Sequence, residues 1–216
     1  EEDPVTQFNF DAGQPLGYFN TEQSAHKGVT ARLWKTVTVD GTVQSDEIFN
    51  NSKYKSSPKI VTVGTAGASA EVVAQLQAAA AANDEGSVKS IAASAAAAAQ
   101  AEAAAAQQAE KELLASLIFC EAGNQPYEGQ VAVGAVVMNR INSSSYPDTM
   151  EEVIYQSGQF SPAMSGWLDR VRANQGYTEA AMQAAEDALA GSNPIGDCLY
   201  FSVGGYGTRI GDHLFH

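Results

Sequence analysis

Hydrophobic and polar positions alternate along residues 29–49, where Val29, Ala31, Leu33, Val37 and Val39 are interleaved with Thr30, Arg32, Thr36 and Thr38. A period of two with β-branched residues predicts strands. The pattern gives a strand over Val29–Val39, a two-residue turn at Asp40-Gly41 and a returning strand over Thr42–Phe49. A third strand, Lys59–Val63, follows Pro58 and ends at Gly64-Thr65, where glycine supplies an unusual backbone angle. Residues 1–19 show no clear period, and either an added strand or a poorly ordered segment is open there. From Lys111 the period changes. Leu113, Leu114, Leu117 and Ile118 recur at helical spacing, and Gly123-Asn124 stops that helix. Pro126 opens the next helix. Its residues Val131, Ala132, Val133, Ala135, Val136, Val137 and Ile141 are apolar on most sides, so it belongs at the centre of its domain. Thr149 with Glu152 forms a capping box, and two strands, Cys198–Val203 and Arg209–Phe215, flank the Gly204-Gly205-Tyr206-Gly207 turn.

Between these patterns lies a stretch without large apolar periodicity. Residues 68–110 are about half alanine, with Gln, Glu and Ser making up most of the rest. Alanine loses no side-chain entropy on ordering, so this connector is expected to be helical, with a break at Asn83–Ser87. Two readings stay open for it: a solvated spacer, or a hairpin or self-associating helix packed on itself or on a second copy. The overall 44% of hydrophobic residues is inflated by this alanine. The organisation expected is a small β module at 1–66, an alanine-rich helical linker at 67–110 and a mainly helical domain at 111–216, an α+β protein in all.

The 216 residues carry 12 basic and 25 acidic side chains, a net charge of −13, more than half of it in residues 111–216. Such a chain has no cationic groove for nucleic acid. No apolar run approaches the roughly 20 residues of a membrane span. The chain opens Glu-Glu-Asp-Pro, without the features of a signal peptide, which fits a mature or trimmed exported protein. Two cysteines exclude a disulfide scaffold, and no His, Cys and Asp/Glu spacing suits a metal, so no cofactor is expected.

One carboxylate stands out. Glu121 follows Ile118 by three residues at the end of an apolar helix, against a buried one. An apolar wall raises a carboxyl pKa, as a general acid near neutral pH requires; a partly exposed helix-end Glu is the ordinary alternative. Cys120 with His213 admits a Cys–His peptidase reading, but nothing else supports it. Cys120 is otherwise a buried thiol packed on the helix, or forms a disulfide with Cys198 in an exported protein.

The run Glu121-Ala-Gly-Asn-Gln-Pro-Tyr-Glu-Gly-Gln-Val-Ala-Val-Gly-Ala-Val-Val-Met-Asn-Arg140 strongly resembles the catalytic domain of the spore cortex-lytic, cell wall hydrolase family. Val153–Gln156, Gly158–Ser161, Ala188–Gly191, Leu199–Phe201 and Ile210–Phe215 match in order, so the resemblance covers about residues 111–216. Gly123-Asn124-Gln125 departs from the Arg-Gly-Glu of many relatives, and the segment between Phe201 and Ile210 is shorter than theirs. The resemblance implies a lysozyme-like or lytic-transglycosylase-like fold with a small β element. It also implies Glu121 as the lytic acid, and peptidoglycan glycan strands as substrate. The expected reaction is cleavage of the MurNAc–GlcNAc bond to anhydro-muramyl products. A water-using muramidase and a non-catalytic wall-binding or spacer protein are the alternatives. Gln130, Gln159, Phe160, Ser161, Tyr200 and Tyr206 are the polar and aromatic candidates for substrate contact. Phe160 and Tyr200 are equally readable as core, Ser161 as a turn residue, Gln130 as a partner of Glu121 or of the backbone, and Arg140 as a cation on a helix dipole.

Residues 20–66 resemble the C-terminal half of the G-five repeat of bacterial surface proteins, through the Asp40-Gly41 turn and the Pro58–Thr65 ending. This implies a wall-associated adhesive or spacer module. Trp34 and Tyr54 can be read there as sugar-stacking rings or as core aromatics. A secreted, wall- or spore-associated protein follows from both resemblances.

Overall fold

The computed structural model describes residues 3–216. The chain divides into two compact units, residues 1–102 and 103–216, and its architecture is mixed α+β.

In the first unit, β1 (Thr6–Pro15) and β2 (Phe19–Gln23) flank β5 (Lys59–Ala66). β1 runs parallel to β5 and β2 antiparallel to it. Between them the chain forms an antiparallel ribbon of β3 (Val29–Val39) and β4 (Thr42–Tyr54), turning at Asp40-Gly41, where both residues have positive φ. The turn is the one expected, since two central residues in this conformation match the twist of the strands. β4 runs five residues beyond Phe49, and residues 6–15 and 19–23 are strands although they carry no clear period over 1–19. Phe8 and Phe10 are the inward members of β1, with Gln7 and Asn9 outward.

The connector folds as two helices, α1 (Ala70–Ala81) and α2 (Glu85–Ala122), broken where Asn83 takes a positive φ. Ser69 caps α1 by accepting from the Val72 amide, and Asp84 accepts from the Ser87 amide at the start of α2. The sparse apolar residues of this stretch are not solvated. Leu76, Val88 and Ala92 are buried with Val61 and Val63 of β5, against Phe8, Phe10, Phe19, Val72 and Ile91. The spacer reading therefore fails for residues 70–92: a sheet face this small needs a covering layer, and the few large side chains of the alanine stretch supply it. Between Ala93 and Gln108, α2 buries no residue.

In the second unit, the end of α2 and α3 (Tyr127–Ile141) form the core with α4 (Met150–Tyr155), α5 (Ser161–Met164), α6 (Trp167–Ala173) and α7 (Glu179–Leu189). α3 is buried from Gly129 to Val137. Gly134 lets α7 approach: a Cβ there would lie 2.7 Å from the Ala188 Cβ. Thr149 caps α4, accepting from the Glu152 amide and donating to its carboxylate. The C-terminal segment forms a small sheet of β6 (Phe201–Ser202), β7 (Thr208–Ile210) and β8 (His213–Phe215), in the order β6-β8-β7. The expected strand over 209–215 is thus two strands turning at Gly211-Asp212.

Candidate active site

Glu121 lies in the last turn of α2. Leu113, Leu114, Leu117 and Ile118 of the same helix are buried, so the helix is fixed by packing and presents Glu121 at the edge of the core. Its side chain is half-buried, and burial pushes its carboxyl above the ordinary carboxylate value. No neighbouring charge adds to that shift, and among the described residues no ion pair engages Glu121. This is a carboxyl that can hold a proton to higher pH than a solvated one and still be reached from solvent.

The helix end is tied down by Gln125. Its Nε2 donates to the Asp212 carboxylate at 3.2 Å, and its Oε1 accepts from the Asp212 amide at 2.9 Å. Its backbone carbonyl accepts from Gln130 Nε2 at 3.1 Å. Asp212, which lies in the matching Ile210–Phe215 run but had no role expected of it, is thereby fastened to the segment that follows Glu121. Gln125 was seen only as a departure from the family pattern. The signal it carried was a side-chain amide, which can donate and accept at once where a carboxylate cannot.

The expected substrate residues divide into two groups. Gln130 is buried, bonds the backbone of Gln125 and has no bond to Glu121; its Oε1 has no partner among the described residues. Phe160 is 1% exposed. For both, the structure agrees with the alternative that the sequence left open: these side chains are buried, Phe160 in the core and Gln130 on a backbone carbonyl. Gln159 is half-buried and Ser161 exposed, the latter opening the short helix α5. Tyr200 and Tyr206 are exposed. Arg140 lies in the last turn of α3, as a structural cation on the helix dipole would, and it is 3% exposed and in contact with three aromatic rings.

Cys120 and Cys198 are free thiols in the structure. Burial, and then the charge of Glu121, pushes the Cys120 thiol up to about 11, which removes the thiolate that a Cys–His mechanism needs. Burial lowers the pKa of His213, whose ring packs against Phe201 and Phe215. Glu128 is exposed at the first turn of α3, where it complements the helix dipole. Among the described residues, no cluster of three or more His, Cys, Asp or Glu is arranged to hold a metal ion, and no helix is long and apolar enough to cross a membrane.

Residues 124–216 match the Cell Wall Hydrolase family, and residues 1–66 match the G5 domain. Residues 1–66 are thus similar to a G5 domain and residues 124–216 to a cell wall hydrolase domain. The hydrolase match begins three residues after Glu121. A spore cortex-lytic enzyme of Oceanobacillus iheyensis is 36% identical over 121 residues, which are 50% of this chain and 41% of that protein. One of Bacillus cereus is 35% identical over 119 residues, 50% of this chain and 44% of that protein. The chain thus spans about two fifths of the length of these curated relatives. The crystal structure of the catalytic domain of the Bacillus cereus SleB protein aligns with a TM-score of 0.44 at 32% identity, covering 50% of this chain and 89% of that one.

Proposed function

We propose that this chain cleaves the MurNAc–GlcNAc bond of peptidoglycan as a lytic transglycosylase, with Glu121 as its single acid and base. The observation that carries the reading is the Glu121 carboxyl itself: half-buried, without an ion pair, and held protonated to raised pH by burial alone. Its setting beside a cell wall hydrolase domain, in a chain similar to spore cortex-lytic enzymes, gives the substrate class.

The steps balance without water. Glu121 gives its proton to the glycosidic oxygen as the bond from the muramyl C1 breaks. Oxocarbenium character develops at C1. The sugar's own primary hydroxyl then bonds C1, and its proton returns to the Glu121 carboxylate. The ring closes as a 1,6-anhydro sugar, and the enzyme ends as it began. Hydrolysis by the two-carboxylate route needs a second group roughly 5–10 Å away.

The site of action proposed is spore cortex or vegetative wall, outside the cytoplasm, with the G5 domain as the wall-associated part. Mass spectrometry of digested peptidoglycan tests the chemistry. Anhydro-muramyl ends, lighter by one water than reducing ends, are expected. Reducing-end muramic acid alone makes the enzyme a muramidase, and binding without any cleavage makes the chain a wall-binding protein.

A further inference from the structure

The aromatic side chains near the C-terminus form one connected cluster with a buried end and an open end. At the buried end, the Arg140 guanidinium carbon lies 4.9 Å from the ring centre of Phe160, 5.1 Å from that of Tyr146 and 5.5 Å from that of Tyr200. Its Nε donates to the Leu199 carbonyl at 2.8 Å. No carboxylate pairs with it among the described residues, and its Nη1 is buried without a partner. A buried cation without a counter-ion is costly, and burial lowers the Arg140 pKa accordingly. The three ring faces and one carbonyl offset that cost and leave the guanidinium one position. Tyr200 is oriented by that contact.

At the open end, the His216 ring stacks on Tyr200, with centres 5.9 Å apart and planes at 18°, and meets Tyr206 at 5.0 Å. The Tyr200 amide donates to the His216 carbonyl and the His216 amide to the Tyr200 carbonyl, at 2.9 and 3.0 Å. This antiparallel pairing puts both side chains on one face. Gly207, with φ of 127°, permits the fold-back of Tyr206: a Cβ there would lie 2.1 Å from the Phe215 carbonyl oxygen. Tyr206 is 76% exposed and Tyr200 47% exposed. Two exposed tyrosine rings are thus held in a shelf against the half-buried His216 ring, an arrangement that hydrophobic burial does not explain.

We propose that Tyr200, His216 and Tyr206 form a glycan subsite separate from the cleavage point, and that Arg140 is its positioning residue. A pyranose lays its C–H face on a ring, while its hydroxyl and acetamido groups meet the phenol and imidazole edges. β8 links the shelf to the segment that follows Glu121. Asp212, bonded to Gln125 just after Glu121, begins the segment that reaches His216 four residues later. At ~3.3 Å per extended residue that is about 13 Å, which leaves room for the shelf to hold a sugar other than the one cleaved.

The inference rests on the proposed reading, and the test separates the two. Binding of the full chain to insoluble peptidoglycan and to soluble glycan oligomers is measured in a Glu121→Gln background. Adding Tyr206→Ala or His216→Ala is expected to weaken binding about tenfold, equivalent to ~1.4 kcal/mol. Tyr206→Phe, which keeps the ring, is expected to lose less than threefold. In the active enzyme, Arg140→Met is expected to raise KM more than it lowers kcat, with Arg140→Lys recovering part of the loss. Equal binding by the Tyr206 and His216 variants and their parent overturns the subsite. An Arg140→Met protein that melts lower yet keeps its KM overturns the positioning role. If the unsubstituted chain cleaves nothing while binding still depends on the shelf, the reaction is wrong and the subsite stands.

Discussion

The β3–β4 ribbon and helix α3 are built from similar residues and meet opposite fates. Both are rich in valine. Val131, Val133, Val136 and Val137 of α3 are buried, whereas Val29, Val37, Val39 and Val43 of the ribbon are exposed, together with Leu33, Trp34, Ile48, Phe49 and Tyr54. The difference is layering. Helix α3 meets α4, α7 and β7, so its apolar sides all have something to bury against. The ribbon has only two strands, and none of its large apolar side chains joins either core cluster. It is held by its ladder and by cross-strand pairs such as Trp34 with Ile48 and Val29 with Tyr54. Alternation specifies a strand, but burial requires a second layer.

The largest test of this contrast is functional. Glu121→Gln, beside the packed core, is expected to lower peptidoglycan lysis by about 10²–10⁴-fold, the span of general acid–base catalysis. Leu33→Ala in the ribbon is expected to change lysis less than twofold. Turbidity loss of purified peptidoglycan reads both. Retained lysis in the Glu121 variant removes the acid from this site.

The next test is energetic. Leu117→Ala, in the core of the second unit, is expected to cost about 2–5 kcal/mol by lost burial and cavity formation. Leu76→Ala, where the alanine stretch covers the β5 sheet, falls in the same range for its own unit. Leu33→Ala, already exposed, is expected to stay within about 0.5 kcal/mol. Denaturant unfolding followed by circular dichroism, with the two units resolved as separate transitions where they separate, measures all three. A Leu33→Ala cost as large as that of Leu117→Ala means that the ribbon is covered in solution.

The same contrast explains what was legible in the sequence. The ribbon, α3 and the apolar end of α2 were readable because period and turn chemistry are local. The Asp40-Gly41 turn and the capping box at Thr149 were found for the same reason. β4 was cut short at Phe49 because Asn50-Asn51-Ser52 are turn-forming residues, and pairing with β3 overrides that preference. For residues 1–19 the sequence left an added strand and poor order both open, although Phe8 and Phe10 alternate with Gln7 and Asn9. The β5 partner of β1 lies about fifty residues on, and parallel pairing leaves no hairpin signal. Glu121 was singled out from a helical face and a resemblance, and the structure adds its burial. The ring of aromatics about Arg140 was not, because residues 140, 146, 160 and 200 share no pattern and meet only in the fold. The Gln125–Asp212 contact is hidden in the same way, across 87 residues.

The smallest effect expected is the most direct check on the environment of Glu121. Burial raises its folded pKa above the value of the unfolded chain, so between these values the folded state binds more protons than the unfolded one. Stability from this group is then fully present below the unfolded pKa and is lost as pH rises through the folded pKa. Glu121→Gln, neutral at every pH, escapes that loss. Its melting temperature is expected to exceed that of the unsubstituted chain by a few degrees near pH 8, and the two are expected to converge near pH 4. Exposed Glu128→Gln, at the dipole end of α3, should show no such gain at high pH, because its charge is favourable there. Thermal scans of the three proteins across this pH range decide the matter. A Glu121→Gln advantage that is absent at pH 8, or that grows toward pH 4, means that the carboxyl is not held in an apolar wall, and the proton donor proposed for the reaction loses its physical basis.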